Sequence, residues 1–150
     1  MAFATGQLND PQVIGAGERY GAVQVILSAI VFENLLKVGR FAKLAAGSID
    51  NMDGIAAPVI AGVVLRNPAA PVESGATIDN TIYSQMDYMR EGLATVDVKA
   101  GQTPVQFGAV YASNAGDAND GLATATGTDI ATGAEFIQEI KPNVWLVRLK

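Results

Sequence analysis

Residues 134–150, AEFIQEIKPNVWLVRLK, decide the fold. Lys141-Pro142-Asn143 is a turn signature, because proline presets the backbone at the second turn position and asparagine tolerates the third. Before the turn, Glu135, Ile137 and Glu139 share one face and Phe136, Gln138 and Ile140 the other, which is the two-residue period of a strand. After it, Trp145, Val147 and Leu149 share a face. Val144 and Leu146 opposite them are apolar too, so this strand is expected to be covered on both sides. A hairpin tied into a sheet keeps a terminus ordered, and its second apolar face makes Val144 and Leu146 candidate contacts with a sister subunit.

The same punctuation runs back along the chain. AVQVILSAIVF (22–32) is a continuous apolar run that suits a buried helix or a strand, and its Val and Ile content favours the strand. NLLKVGRFAKLAAG alternates weakly, SIDNMDG supplies a turn, and PVIAGVVLRN reads as a strand buried on both faces and ended by Pro68 and Pro71. In YSQMDYMREGLATVDVKAG, Glu91-Gly92 suits a two-residue or bulged hairpin turn, and Ala94, Val96 and Val98 alternate with Thr95, Asp97 and Lys99. VQFGAVYAS is a further short strand, followed by the small, acidic loop NAGDANDG and then LATAT. Short strands at roughly ten-residue spacing describe an all-β fold, a single β-barrel or sandwich-like domain of short antiparallel strands. That core is assigned to residues 21–150. Residues 1–20, with scattered anchors at Phe3, Leu8, Val13 and Ile14 among Gly, Pro and Asn, read as an extended N-terminal arm whose anchors are candidate interface contacts, docking on a neighbour or on the parent domain, or else as a disordered tail.

Composition then removes most chemistry. The chain has no cysteine and no histidine, so disulfides, thiol nucleophiles, imidazole bases and the commonest zinc sites are gone. An enzyme would have to work with carboxylates, lysines and hydroxyls, and none is expected; no cofactor is implied. Ten basic residues against 15 acidic ones give no electrostatic footprint for direct nucleic acid binding or for anionic lipid. The apolar runs 21–32 and 54–65 are interrupted and shorter than the ~20 residues a span requires, so no membrane crossing is expected. No positive segment precedes an apolar core, Arg19 being the first basic residue, which predicts synthesis in the cytoplasm. Only 17% of residues are charged, a low density that suits a surface partly covered by other subunits.

The candidate sites are few. GAGERYG (15–21) lacks the spacing and the lysine of a phosphate loop, and reads as a joint between arm and domain. DNMDG (50–54) and DANDG (117–121) look like calcium loops, but counting from Asp117 position six is Leu122 and position twelve is Thr128, so Asx turns account for both. Glu135 and Glu139 on a strand lie roughly 14 Å apart, too far for an acid–base pair. Lys37, Arg40 and Lys43 form the densest basic cluster, either solvated strand residues or half of a contact to an acidic neighbour, with Arg40 the interface candidate. Trp145 reads as core. Tyr83, Tyr88 and Tyr111 are the residues a sugar- or receptor-binding module would use as a platform.

The series ENLLKVGRFAKLAAGSIDNMDG, PVIAGVVLRNPAAPVESGATI, EGLATVDVKAGQTPVQFGAVYAS and GAEFIQEIKPNVWLVRLK resembles the small β-rich cement, or decoration, proteins of tailed bacteriophage capsids. Those chains run in similar order: a glycine-punctuated strand, an IAGV strand, a hairpin of G.A.V.V.AG pattern, a G..VY strand and a final hairpin. The resemblance covers roughly residues 32–150, and the N-terminal arm departs from it most. It implies a structural virion protein on the outer surface of the capsid that bridges adjacent major capsid protein subunits as a homo-oligomer, a dimer or trimer, made in the bacterial host. A tail or baseplate component and the sugar-binding module are the alternatives.

Overall fold

The computed structural model describes residues 17, 19–30, 36–65 and 85–150. Among them the chain forms nine strands: β1 (Arg19–Ile30), β2 (Phe41–Ala45), β3 (Ser48–Asn51), β4 (Ile60–Val64), β5 (Gln85–Asp97), β6 (Ala109–Ala112), β7 (Ala123–Thr124), β8 (Ile130–Lys141) and β9 (Val144–Leu149). Their order is β3-β2-β4-β5-β9-β8-β6-β7, with β1 paired to β5 off that path, and every strand pair is antiparallel. The sheet curls into a half-barrel, as the all-β reading requires, and the apolar run after residue 22 is a strand. Phe3, Leu8, Val13 and Ile14 lie outside the described residues, as do Pro68, Pro71 and Tyr83.

The closing hairpin forms as its sequence predicts. Lys141 pairs with Val144 across Pro142-Asn143, and Asn143 takes a φ of 62°, a left-handed conformation that asparagine tolerates better than most residues. Register shifts interrupt β8 between Phe136 and Gln138 and between Glu139 and Lys141. The first explains why Phe136 is buried while Gln138, on the same face by simple alternation, is exposed. Phe136 packs edge-on against Trp145 at 5.4 Å between ring centroids, a favoured aromatic geometry. Strand β4 is buried on both faces: Val63 and Leu65 join the larger core cluster, Ala61 and Val64 a second one.

Two expected turns fall elsewhere. Glu91-Gly92 is not a hairpin turn, because residues 85–97 form one continuous strand. That strand pairs with β4 at Tyr88 and Met89, with β9 from Gly92 to Asp97, and with β1 along most of its length. Gly92, at φ 121°, lies within an irregular stretch where the β1–β5 register shifts around Val25. The irregularity swaps faces: Met86 and Tyr88 belong to the second cluster, whereas Ala94, Val96 and Val98, of the same parity, belong to the first. A bulge produces that inversion, since one extra residue turns every later side chain over. The glycine signal was real, but partners on both sides held the chain extended through it.

Likewise SIDNMDG does not supply the turn after β2. Ala46-Gly47 does, with φ values of 47° and 80°, the positive pair that a two-residue hairpin of type I′ needs. Residues 48–51 are then strand, and Lys43 stands directly opposite Asp50.

Candidate functional site

The curled sheet closes on itself at one seam. Phe41 N–H donates to Gly121 O at 2.9 Å, Lys99 N–H to Ala123 O at 2.9 Å, and Val98 bridges Ala123. Gly121, at φ 81°, approaches so closely that a Cβ would stand 2.5 Å from Phe41 O. Arg40 fastens the same seam: one guanidinium nitrogen donates to Ala118 O at 2.7 Å and to Asp120 O at 3.1 Å, while its buried Nε has no partner. Burial lowers the Arg40 pKa, opposed by Asp97 and Asp120. Burial also pushes the Asp97 carboxyl up to about 6, against the pull of Arg40 and Lys141. Beside this seam lies a cleft of about 340 Å³, lined by Lys37, Arg40, Asp53 and Asp117 among others. Its lining carries charges of both signs, and across it Arg40 reaches the carbonyls of the 118–120 loop.

Lys43 is not a solvated strand residue: it is 4% exposed. Its ammonium sits 2.6 Å from an Asp53 carboxylate oxygen and 3.7 Å from one of buried Asp50. The type I′ turn places 43 opposite 50, so the buried cation comes with its anion across the strand pair. The Lys43 hydrogen bond is the leading cause of a lowered Asp53 pKa. Asp53 in turn accepts from Ile55 N–H at 3.2 Å, and Asn114 grips the loop with both ends of its amide, accepting from Gly54 N–H at 2.8 Å and donating to Ile55 O at 2.9 Å. This clamped loop presents Ile55, 49% exposed, and Val59, 62% exposed, beside Leu44.

A second apolar projection lies near the other end of β6. Gly108 N–H donates to Val105 O at 2.9 Å, closing a turn in which Phe107 has a φ of 62°. Phe107 N–H donates to Phe136 O at 2.7 Å and Phe136 N–H to Gly108 O at 2.9 Å. The turn is therefore pinned to a core residue by its own backbone. It exposes Val105 at 66% and Phe107 at 63%. A cleft of about 290 Å³ opens beside it, lined by Phe107, Ala109, Tyr111, Ala131, Gly133, Glu135 and Lys150 with Val110 and Ala134.

The sequence candidates are scattered by this geometry. Val144 is buried, Leu146 is half-buried, and Arg40 is engaged with its own chain's carbonyls. Tyr88 is buried in the second core cluster and cannot serve a platform, whereas Tyr111 lines the Phe107 cleft. Glu135 is joined to Arg148 and Lys150. Both apparent calcium loops are tied by carboxylate–backbone bonds, two of them at Asx spacing: Asp53 accepts from Ile55 N–H and Asp117 from Asn119 N–H, while Asp50 accepts from Asn51 N–H and Asp120 from Gly116 N–H. Among the described residues no three acidic, Cys or His side chains converge as a metal group. Reading by period missed Val105, Phe107, Ile55 and Val59, because an exposed apolar residue on a loop has no periodic signature; an aromatic directly before glycine after Pro104 is the only local hint.

The described surface thus presents apolar tips on two braced loops. The profile of the phage structural cement proteins (E217 gp24/Pam3 gp6) matches residues 7–150. The chain belongs to that family. It is a structural protein that stabilises a phage capsid. The match takes in Leu8, Val13 and Ile14 but not Phe3. Among solved structures, a chain from the capsid of Myoviridae phage XM1 is 32% identical and superposes with a TM-score of 0.81, over 91% of this chain and 90% of that one. Among curated proteins none matches.

Proposed function

We propose that this cement protein sits on the outer surface of the shell and bridges adjacent major capsid protein subunits as a small homo-oligomer, without catalysing a reaction. The observation that carries the reading is the pair of braced apolar projections near opposite ends of β6, around Ile55–Val59 and Val105–Phe107. A bridge needs two feet, and rigid feet lose little conformational entropy on binding. Once one foot is bound, the second binds at high effective concentration, so modest contacts repeated around a shell resist internal pressure.

Leu146 on the outer face of β9 is offered as a self-contact, and the segment before Gly17, with Phe3, Leu8, Val13 and Ile14, as a source of further apolar contacts. The test is to add the purified protein to shells assembled without it and to follow disruption by heat. Added protein should raise the disruption temperature and appear at a copy number of the same order as the shell protein. No binding, or only a few copies per particle, would reject the bridging role.

A further inference from the structure

We propose that the outer edge of β1 pairs antiparallel with the same edge of a second copy of this chain, so that two curled sheets join into one. This inference rests on the homo-oligomer put forward above and names its interface.

Among the described residues the sheet ends at three strands, β3, β7 and β1. β3 is four residues long and carries the buried Asp50. β7 is two residues long, and its Ala123 is already met by Lys99 N–H and by the Val98 bridge. Short strands and inward charges are devices that keep sheet edges from pairing. β1 has neither: it runs for 12 residues, its one strand partner among the described residues is β5, and after Arg19 it holds no charge and no proline.

Ile26 to Ile30 follow β5 in unbroken register. Alternate residues of that stretch therefore turn their N–H and C=O groups away from β5, as an open ladder. Leu27 and Ser28 point to opposite faces of the strand, yet both are exposed, as is Val25. Water thus reaches this edge from both faces, where a strand wedged into a sheet would be shielded on at least one.

The complement of an open ladder is another one, and the long uncharged edge described on this molecule is β1 itself. Two copies about a two-fold axis satisfy each other's edges and leave neither open, which closes the assembly rather than propagating it. The only charge in the strand sets the direction: antiparallel pairing sends the two copies of Arg19 to opposite ends, whereas parallel pairing brings them together. About an axis at Ile26, Leu27 of each copy lies opposite Val25 of the other. These side chains, 40% and 38% exposed in the single chain, then cover one another across the new ladder.

The chain has no cysteine, so single cysteines report contacts between copies. The experiment treats Val25→Cys, Leu27→Cys, Val105→Cys and Leu146→Cys with a short bifunctional thiol reagent, and measures the mass in solution and the melting curve of wild type and Leu27→Lys. Wild type should hold an even number of copies. Leu27→Lys should halve that mass and still melt cooperatively. Val25→Cys and Leu27→Cys should give covalent dimers, and the more exposed Val105→Cys should not. A trimeric wild type, an unchanged mass for Leu27→Lys, or cross-links at Leu146→Cys alone would overturn the β1 interface while leaving a homo-oligomer. Should the lysine prevent folding, the cross-links decide, and none at either β1 position overturns the interface. A monomeric wild type would overturn the homo-oligomer and this interface together.

Discussion

The two apolar projections are braced in different ways. The loop carrying Ile55 and Val59 is held by side chains: the buried Lys43 ammonium on Asp53, the Asx bond to Ile55, and both ends of the Asn114 amide. The turn carrying Val105 and Phe107 is held by main-chain hydrogen bonds to Phe136, a residue with no exposed surface. A side-chain brace made partly of charge responds to acid and to substitution at each of its members. A main-chain brace responds only to the core behind it. One projection is thus adjustable by chemistry, and the other is as stable as the core strand that holds it.

The strongest way to break this contrast is Phe136→Ala. Emptying that site should cost about 3–5 kcal/mol, measured by urea denaturation, and hydrogen exchange at the Phe107 amide should rise with the global loss. Unchanged protection at Phe107 would show that the turn is held by something other than the core strand. Next comes Lys43→Met, which leaves the buried Asp50 carboxylate without its cation and should cost about 3 kcal/mol. Exchange should rise at Gly54 and Ile55 but not at Phe107. Equal effects on both would merge the two braces into one cooperative unit.

Asp97→Asn tests the seam between them, with the opposite sign. Asp97 is raised from 3.8 to about 6 by burial, while Arg40 and Lys141 pull the other way. The folded state therefore binds the proton more tightly than the unfolded state, and that stability is present below about pH 4 and lost as pH rises through about 6. Removing the charge should stabilise the protein by about 1–2 kcal/mol at pH 8, allowing for partial exposure and for the lost attraction to Arg40. At pH 3.5 the gain should vanish; a gain independent of pH would point to packing. Asp53 runs the other way, since its lowered pKa stabilises the folded state above the usual carboxylate range and is lost in acid.

The smallest effect is expected for Asn114→Ala, about 1 kcal/mol for two partly exposed hydrogen bonds. It should loosen the Ile55 amide and leave Phe107 untouched, sharpening the division between side-chain and main-chain bracing.

Much of the fold was legible in the chain, and its limits are equally specific. The closing hairpin could be read because Pro142-Asn143 and the flanking period act over a few residues. The double burial of β4 followed from its unbroken apolar run. The site was less legible: of the residues named for an interface, Val144 is internal to the fold and Arg40 braces its seam, while Phe107 and Ile55 went unnamed. Period finds residues that face a core, and these face away from one.

By itself the sequence determined that the regular structure among the described residues is β, that its final strands pair, and that histidine and cysteine chemistry is absent, since each depends on residue identity or on neighbours close in the chain. Only the tertiary structure decided that Gly92 is a bulge rather than a turn, that Lys43 is buried, and that Gly121 closes the sheet against Phe41. Each of those depends on which strand lies alongside, and strand partners are brought together from positions tens of residues apart, where local pattern carries no information about the pairing.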